Sequence, residues 1–170
     1  MELTKKDRLF LVNQFEILKR LDKDQQPEYD EMIEILSHGY EIFYGDMFNS
    51  IFDPMPKEEG LLVIDVLSLF HLIENFKENN PEDKEVNEHY FSHFLGFDGN
   101  NETEYMSFCR FLIHKQGKFS EQIKNQKQTD NFNSHMQVLE RYRNMVQVWR
   151  GLGKKYAELT RDDILKILNA

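Results

Sequence analysis

One cysteine, Cys109, stands in the 170 residues, so an internal disulfide is excluded and there are no paired thiols for a C-x-x-C zinc or redox site. Basic residues are also in short supply. With 21 Lys and Arg against 30 Asp and Glu, the net charge is −9, and such a field repels phosphate backbones. Uncharged stretches end at about nine residues, as from His89 to Phe97, whereas a bilayer span needs about 20. The opening Met1 to Arg8 breaks into charges at once, so neither a leader peptide nor a membrane helix is expected, and the expected location is the cytoplasm. No G-x-x-x-x-G-K, G-x-G-x-x-G or G-x-S-x-G segment occurs, which removes the usual warrants for nucleotide hydrolysis and serine-hydrolase chemistry. The 8 glycines and 4 prolines make up about 7% of the chain, where about 12% is usual. They fall at punctuation points, and this favours helices.

The remaining composition is that of a soluble globular domain, with 40% apolar and 30% charged residues, enough to bury a core. The length suits one domain, or two small helical subdomains sharing a core. Thr4 and Asp7 form a variant capping box ahead of a helix over about 5–21, with Leu9, Val12, Leu18 and Leu21 near helical spacing. Pro27 opens a second helix that Gly39 ends, with Tyr29, Met32, Ile33 and Leu36 on one stripe. Residues 40–53 read as a short helix weakened at Gly45 by about 1 kcal/mol relative to Ala. After Pro54-Met55-Pro56, residues 57–78 are apolar in nearly every direction, which marks the central helix of the domain. Helices are further expected over about 82–94, 102–116, 135–150 with Ser134 as cap, and from Thr160 and Asp163 to the end, whereas the amide-rich tract 120–133 reads as a long, mobile loop. The fold class is all-α and multihelical.

The order of Arg8-Leu9-Phe10-Leu11-Val12-Asn13-Gln14, Phe94-Leu95-Gly96-Phe97-Asp98, Glu104-Tyr105, Arg110-Phe111, Gly117 with Phe119, Tyr142 to Trp149 and the closing Ile167-Leu168-Asn169-Ala170 resembles the YfbU family of bacterial proteins along essentially the whole chain. The resemblance implies a multihelical cytoplasmic protein with no established activity or cofactor and no catalytic residues to carry over.

Asp65 lies within Leu61-Leu62-Val63-Ile64-Asp65-Val66-Leu67, and a buried carboxylate needs a cation or several donors. A structural ion pair to Arg8, Arg110 or Arg141 is the favoured reading, with a catalytic carboxylate as the alternative. His71 is about 120° away on that helix and out of reach of Asp65. Glu85, His89 and His93 at i, i+4 and i+8 would set two imidazoles on one helical face, as in metal-binding helices. Without the H-E-x-x-H order or a third ligand, however, an i, i+4 Glu85–His89 pair on a surface helix is favoured. Asp22-x-Asp24 and Asp98-x-Asn100 imitate the start of a calcium loop but lack its Gly and Glu, so both read as caps and turns. Cys109 reads as core, and His114 is too far around the helix to activate it.

The aromatics Tyr40, Phe43, Tyr44, Phe48 and Phe52, with Trp149 beside Arg150, read as core or as a self-association surface. The leading expectation is a homo-oligomer that works through protein contacts, without a cofactor, a metal or a membrane. The alternative is a small-molecule or metal-dependent enzyme using Asp65 or the His89/His93 face. A nucleic-acid binder built on Lys154, Lys155 and the arginines of 141–150 is disfavoured by the net charge.

Overall fold

The computed structural model describes residues 2–126, 129–153 and 159–170. Its described residues are all-α, with helical segments joined by turns and a single isolated bridge between Phe97 and Asn133. The chain divides into two compact units, Met1–Pro54 and Met55–Ala170.

The first unit is a helical hairpin. In α1 (Lys5–Leu21) the Thr4 hydroxyl accepts from the Asp7 N–H at 3.2 Å, and the Asp7 carboxylate accepts from the Thr4 N–H at 2.9 Å. This is the reciprocal box expected from the sequence, and the Thr4 hydrogen bonds hold the Asp7 carboxyl below its usual range. In α2 (Gln26–His38) Pro27 sits in the first turn, and Gly39 closes the helix at φ 75°, its N–H donating to the Ile35 carbonyl at 2.9 Å. Arg8 donates to the Leu36 carbonyl at 2.8 Å, and Lys19 pairs with Asp30. Among the described residues of this unit Ile35, Leu36 and Tyr44 are buried, packed by Leu3, Leu11, Val12, Phe15 and Met47. The helix expected over 40–53 shrinks to a 3₁₀ turn at Glu41–Phe43 and the single turn α3 (Tyr44–Met47). Gly45 weakens the segment, and Tyr44 and Met47 are its described residues that pack on the hairpin core.

The second unit is built round α4 (Lys57–Asn79), which buries Leu62, Val63, Val66, Leu67, Leu69, Phe70 and Ile73 and so confirms its central position. The helix expected over 82–94 stops early, at α5 (Lys84–Asn87). The following backbone turns so that Phe94 and Phe97 both enter the core. Phe94 lies 5.4 Å from Phe70, 5.7 Å from Phe97, 6.0 Å from Phe132 and 5.9 Å from Tyr142, ring centre to ring centre. The Leu95 N–H donates to the Tyr142 hydroxyl at 3.1 Å rather than to a helical carbonyl. α6 (Thr103–Arg110) continues into a π-turn at Phe111–Lys115.

The tract 120–133 is not the open loop that its composition suggests. It contains a 3₁₀ turn at Ser120–Gln122, then α7 (Ile123–Gln126), then three successive left-handed residues, Asp130, Asn131 and Phe132. Phe132 is fully buried, and Gln122, Asn125 and Thr129 are buried with it. Left-handed backbone costs about 1–2 kcal/mol per residue, least at Asp and Asn, and burial of the Phe132 ring offsets part of it, about 1.5–3 kcal/mol.

α8 (Leu139–Gly151) begins four residues later than expected because Ser134 does not cap it. The buried Glu102 does so from outside the helix. One oxygen of Glu102 accepts from the Val138 and Leu139 N–H groups at 2.9 and 2.8 Å, and the other accepts from the Asp98 N–H at 2.9 Å. α9 (Arg161–Leu168) starts at the expected Thr160/Asp163 box and buries Ile164, Ile167 and Leu168.

Glu102→Ala removes three charge-assisted bonds and strands backbone donors. The expected loss is about 3–5 kcal/mol from the Met55–Ala170 unit, measured as a lower denaturation midpoint by the fluorescence of Trp149. Glu102→Gln, which keeps an acceptor in place, is expected to lose less.

Candidate functional site

Most of the chemistry-bearing residues singled out in the sequence sit in structural pairings of the second unit. Asp65, 4% exposed, accepts from Arg150 Nε at 3.0 Å and Nη2 at 2.5 Å. The pairing expected for Asp65 is therefore present, but with Arg150 of α8 rather than with Arg8, Arg110 or Arg141. One turn and a half earlier on α4, Glu59 accepts from Arg143 at 2.7 Å and from the Tyr105 hydroxyl at 2.9 Å. Arg143 and Arg150, two turns apart, thus fasten α8 to Glu59 and Asp65 of α4. Between them lies an open cleft of about 290 Å³ lined by Leu62, Arg143, Val146, Gln147 and Arg150.

The shared His89/His93 helix face does not exist, because α5 ends at Asn87 before either residue. His89 accepts the Phe91 N–H at 3.2 Å and lies near Arg141, whereas His93 lies near Lys77 and Glu74. Glu85, expected beside His89, instead pairs with Arg161. Burial lowers the pKa of both histidines, with nearby cations adding to the effect. His71 pairs with Glu121 at 3.0 Å. Asp98 accepts from the Asn100 N–H at 3.0 Å and from Asn101 at 2.5 Å, the turn expected of it. Cys109 is fully buried, and desolvation pushes its thiol up to about 12. Trp149, named as an interface candidate, belongs to the core at 0% exposure; its i, i+4 and i+3 neighbours on α8 are Met145 and Val146, which are buried with it. Lys154 and Lys155 lie outside the described residues.

A cleft of about 510 Å³ runs past Leu72, Asn75, Phe76, Asn79, Asn80 and Leu159. Its amides turn back on their own helix, Asn79 to the Asn75 carbonyl at 2.9 Å and Asn80 to the Phe76 carbonyl at 2.8 Å. They do not converge on a common point as the polar groups of a ligand site do.

Exposed apolar surface is concentrated in the first unit. Of the fifteen large hydrophobic side chains exposed among the described residues, ten lie before Pro54: Leu9, Phe10, Ile17, Leu18 and Leu21 on α1, and Tyr40, Ile42, Phe43, Ile51 and Phe52 after α2. Ile42 at 85% and Phe52 at 87% stand almost wholly in solvent. The aromatic cluster therefore divides: Tyr44 is core, while Tyr40, Phe43 and Phe52 are outside it. α1 turns Leu11, Val12 and Phe15 toward the hairpin core and an equally apolar set outward, so none of its residues is fully buried. Leu9, Val12, Leu18 and Leu21, near helical spacing in the sequence, divide between these two faces, Val12 inward and Leu9, Leu18 and Leu21 outward. The sequence signal of the outward face is the second set of apolar positions on the far side of the same helix.

Comparison with known proteins follows the same boundaries as the chain. The model of a family described as the YfbU domain matches residues 1–170. A curated relative, UPF0304 protein MJECS11 of Methanocaldococcus jannaschii, is 50% identical over 169 residues, covering 99% of each chain. That relative is archaeal, so its kind is not confined to bacteria.

Two measurements check these assignments. At pH 7.5 native protein is expected to leave Cys109 unlabelled by a thiol reagent over hours, with one equivalent reacting after denaturation. The histidines bind protons more readily unfolded than folded, so their contribution to stability is complete above about 6.5, the unperturbed value, and falls as pH drops below it. His93→Gln is expected to flatten the stability loss between about pH 6.5 and 5, read as the pH dependence of the denaturation midpoint.

Proposed function

The chain belongs to the YfbU family, and from that premise we propose that it is a non-enzymatic cytoplasmic protein acting by self-association and, through the assembly, by regulatory contacts with other proteins. The observation that carries this reading is the imbalance of the first unit. It buries three side chains, Ile35, Leu36 and Tyr44, and exposes ten large hydrophobics. A core of that size is far below what usually holds a unit of some 50 residues. Surface of this kind is characteristic of protein interfaces. In the second unit, by contrast, the conspicuous charged groups are engaged in pairs, Asp65 with Arg150 and Glu59 with Arg143. No described helix is long and apolar enough to cross a membrane, and the buried, unpaired Cys109 suits a reducing compartment.

Native mass spectrometry of untagged protein is expected to give multiples of the 20.5 kDa chain mass. Ile17→Asp is expected to weaken the assembly by about tenfold or more, the equivalent of roughly 1.4 kcal/mol, with unchanged helicity by circular dichroism. A monomer throughout the micromolar range would sink the proposal.

A further inference from the structure

We propose that the contact between copies is made by α1 against α1 of a second copy, antiparallel, about a two-fold axis passing between Gln14 and Ile17. The proposal rests on the self-association reading and gives it a geometry.

The outward stripe consists of Phe10, Gln14, Ile17 and Leu21. Spaced by four, three and four residues, these positions fall within about 60° of one another on a helix of 100° per residue. That is the alternation of a coiled-coil seam. Phe10, Ile17 and Leu21 are 60%, 52% and 77% exposed, with Leu9 and Leu18 on the two margins. The opposite face of the helix is already occupied by Ile35 and Leu36 through Leu11, Val12 and Phe15.

The order of spacings is the same read from either end. A copy of the helix running in the opposite direction therefore sets Phe10 across from Leu21 and Gln14 across from Ile17, and every seam position finds a partner. Self-pairing needs this symmetry, and an unrelated partner would not require it. The five exposed α1 side chains offer on the order of 600 Å² on each copy, with Leu9 and Leu18 on opposite margins, so a two-fold pair buries at most about 1,200 Å², the lower end of specific interfaces.

Charge selects the direction. A parallel pair would bring Lys6, one turn before Phe10 on the same stripe, against Lys6 of the second copy. The antiparallel pair instead carries Lys6 past Leu21 of the partner helix, where Asp22 and Asp24 flank Lys23. It also opposes the helix dipoles favourably. Gln14 lies opposite Ile17, about 4.5 Å along the seam from Gln14 of the second copy, and an amide in a seam otherwise apolar fixes register. A lipid surface is a poorer fit. Basic residues do flank the stripe, but α2 carries Glu28, Asp30, Glu31 and Glu34 with no Lys or Arg, which anionic headgroups repel.

Because Cys109 is buried, a cysteine added to α1 is the only reactive thiol, and cross-linking reads the geometry directly. Phe10→Cys and Leu21→Cys proteins, one carrying a heavy-isotope label, are mixed, allowed to exchange subunits and oxidised, with the wild-type chain weighed by native mass spectrometry in parallel. The expected result is a mixed disulfide dimer, with little product from Phe10→Cys alone, since its two copies of residue 10 stand about 16 Å apart along the seam. Efficient cross-linking of Phe10→Cys alone would show a parallel pair and overturn the proposal. A wild-type oligomer with no mixed disulfide would place the contact elsewhere and leave self-association standing. A monomeric wild type removes both, and if that monomer sediments with phosphatidylglycerol vesicles, the stripe is a lipid-binding face instead.

Discussion

The carboxylate of Glu102 joins two places that share no sequence and would otherwise have no reason to meet. It stands at the start of α6, closes the Asp98–Glu102 turn with one oxygen, and with the other takes the first N–H groups of α8, 36 and 37 residues away. Val138, at the head of α8, has no side chain that could do this. Helices begin with orphan donors, and an acceptor with a negative charge is the strongest available cap for them. With α8 started at Leu139, Tyr142 reaches the Leu95 N–H, Trp149 enters the core, and Arg143 and Arg150 fall opposite Glu59 and Asp65. A helix begun at 135 would take the amide N–H of residue 139 into its own hydrogen bonds and withdraw that donor from the Glu102 carboxylate.

What could be read from the sequence was what neighbouring residues decide. Thr4 with Asp7, Thr160 with Asp163, Pro27 and Gly39 act within a turn of themselves, and each end they predict is where the helix begins or stops. The apolar run of α4 needs no partner to be recognised as central. The failures share the opposite property. Residues 88–95 leave the helix because Phe94 and Phe97 have a better place among Phe70, Phe132 and Tyr142, and because a phenol 47 residues away satisfies the Leu95 amide. The tract 120–133 looks polar because Gln122, Asn125 and Thr129 are polar, yet they are buried and bonded among themselves: Asn125 donates to Gln122 at 3.0 Å, and Thr129 donates to the Asn125 carbonyl at 2.9 Å. Composition cannot distinguish amides facing water from amides facing one another.

The candidate surface was half legible for a related reason. Burial of Asp65 could be foreseen from its neighbours, but its partner Arg150 could not, since that pairing depends on how α8 packs against α4, 85 residues away in sequence. The aromatic stretch after Gly39 drew notice by its density, and part of it is indeed outside. Trp149 drew notice by type alone and is core. α1, with moderate apolar content spread around its circumference, looked like an ordinary surface helix. Two apolar faces on one helix mean two packing partners, and the hairpin supplies only one of them.

Gly96 is held at φ 88°, and a side-chain carbon placed there would come within 2.1 Å of the Phe132 carbonyl oxygen. The Phe97 N–H donates to that same carbonyl at 3.0 Å, so the backbone at 132 has nowhere to retreat without losing the bond. Positions 96 and 132 are therefore free to diverge only as a pair. A chain of this lineage that acquired any other residue at 96 would carry an altered turn at 130–133 as well, and the two changes would arrive together or be lost together.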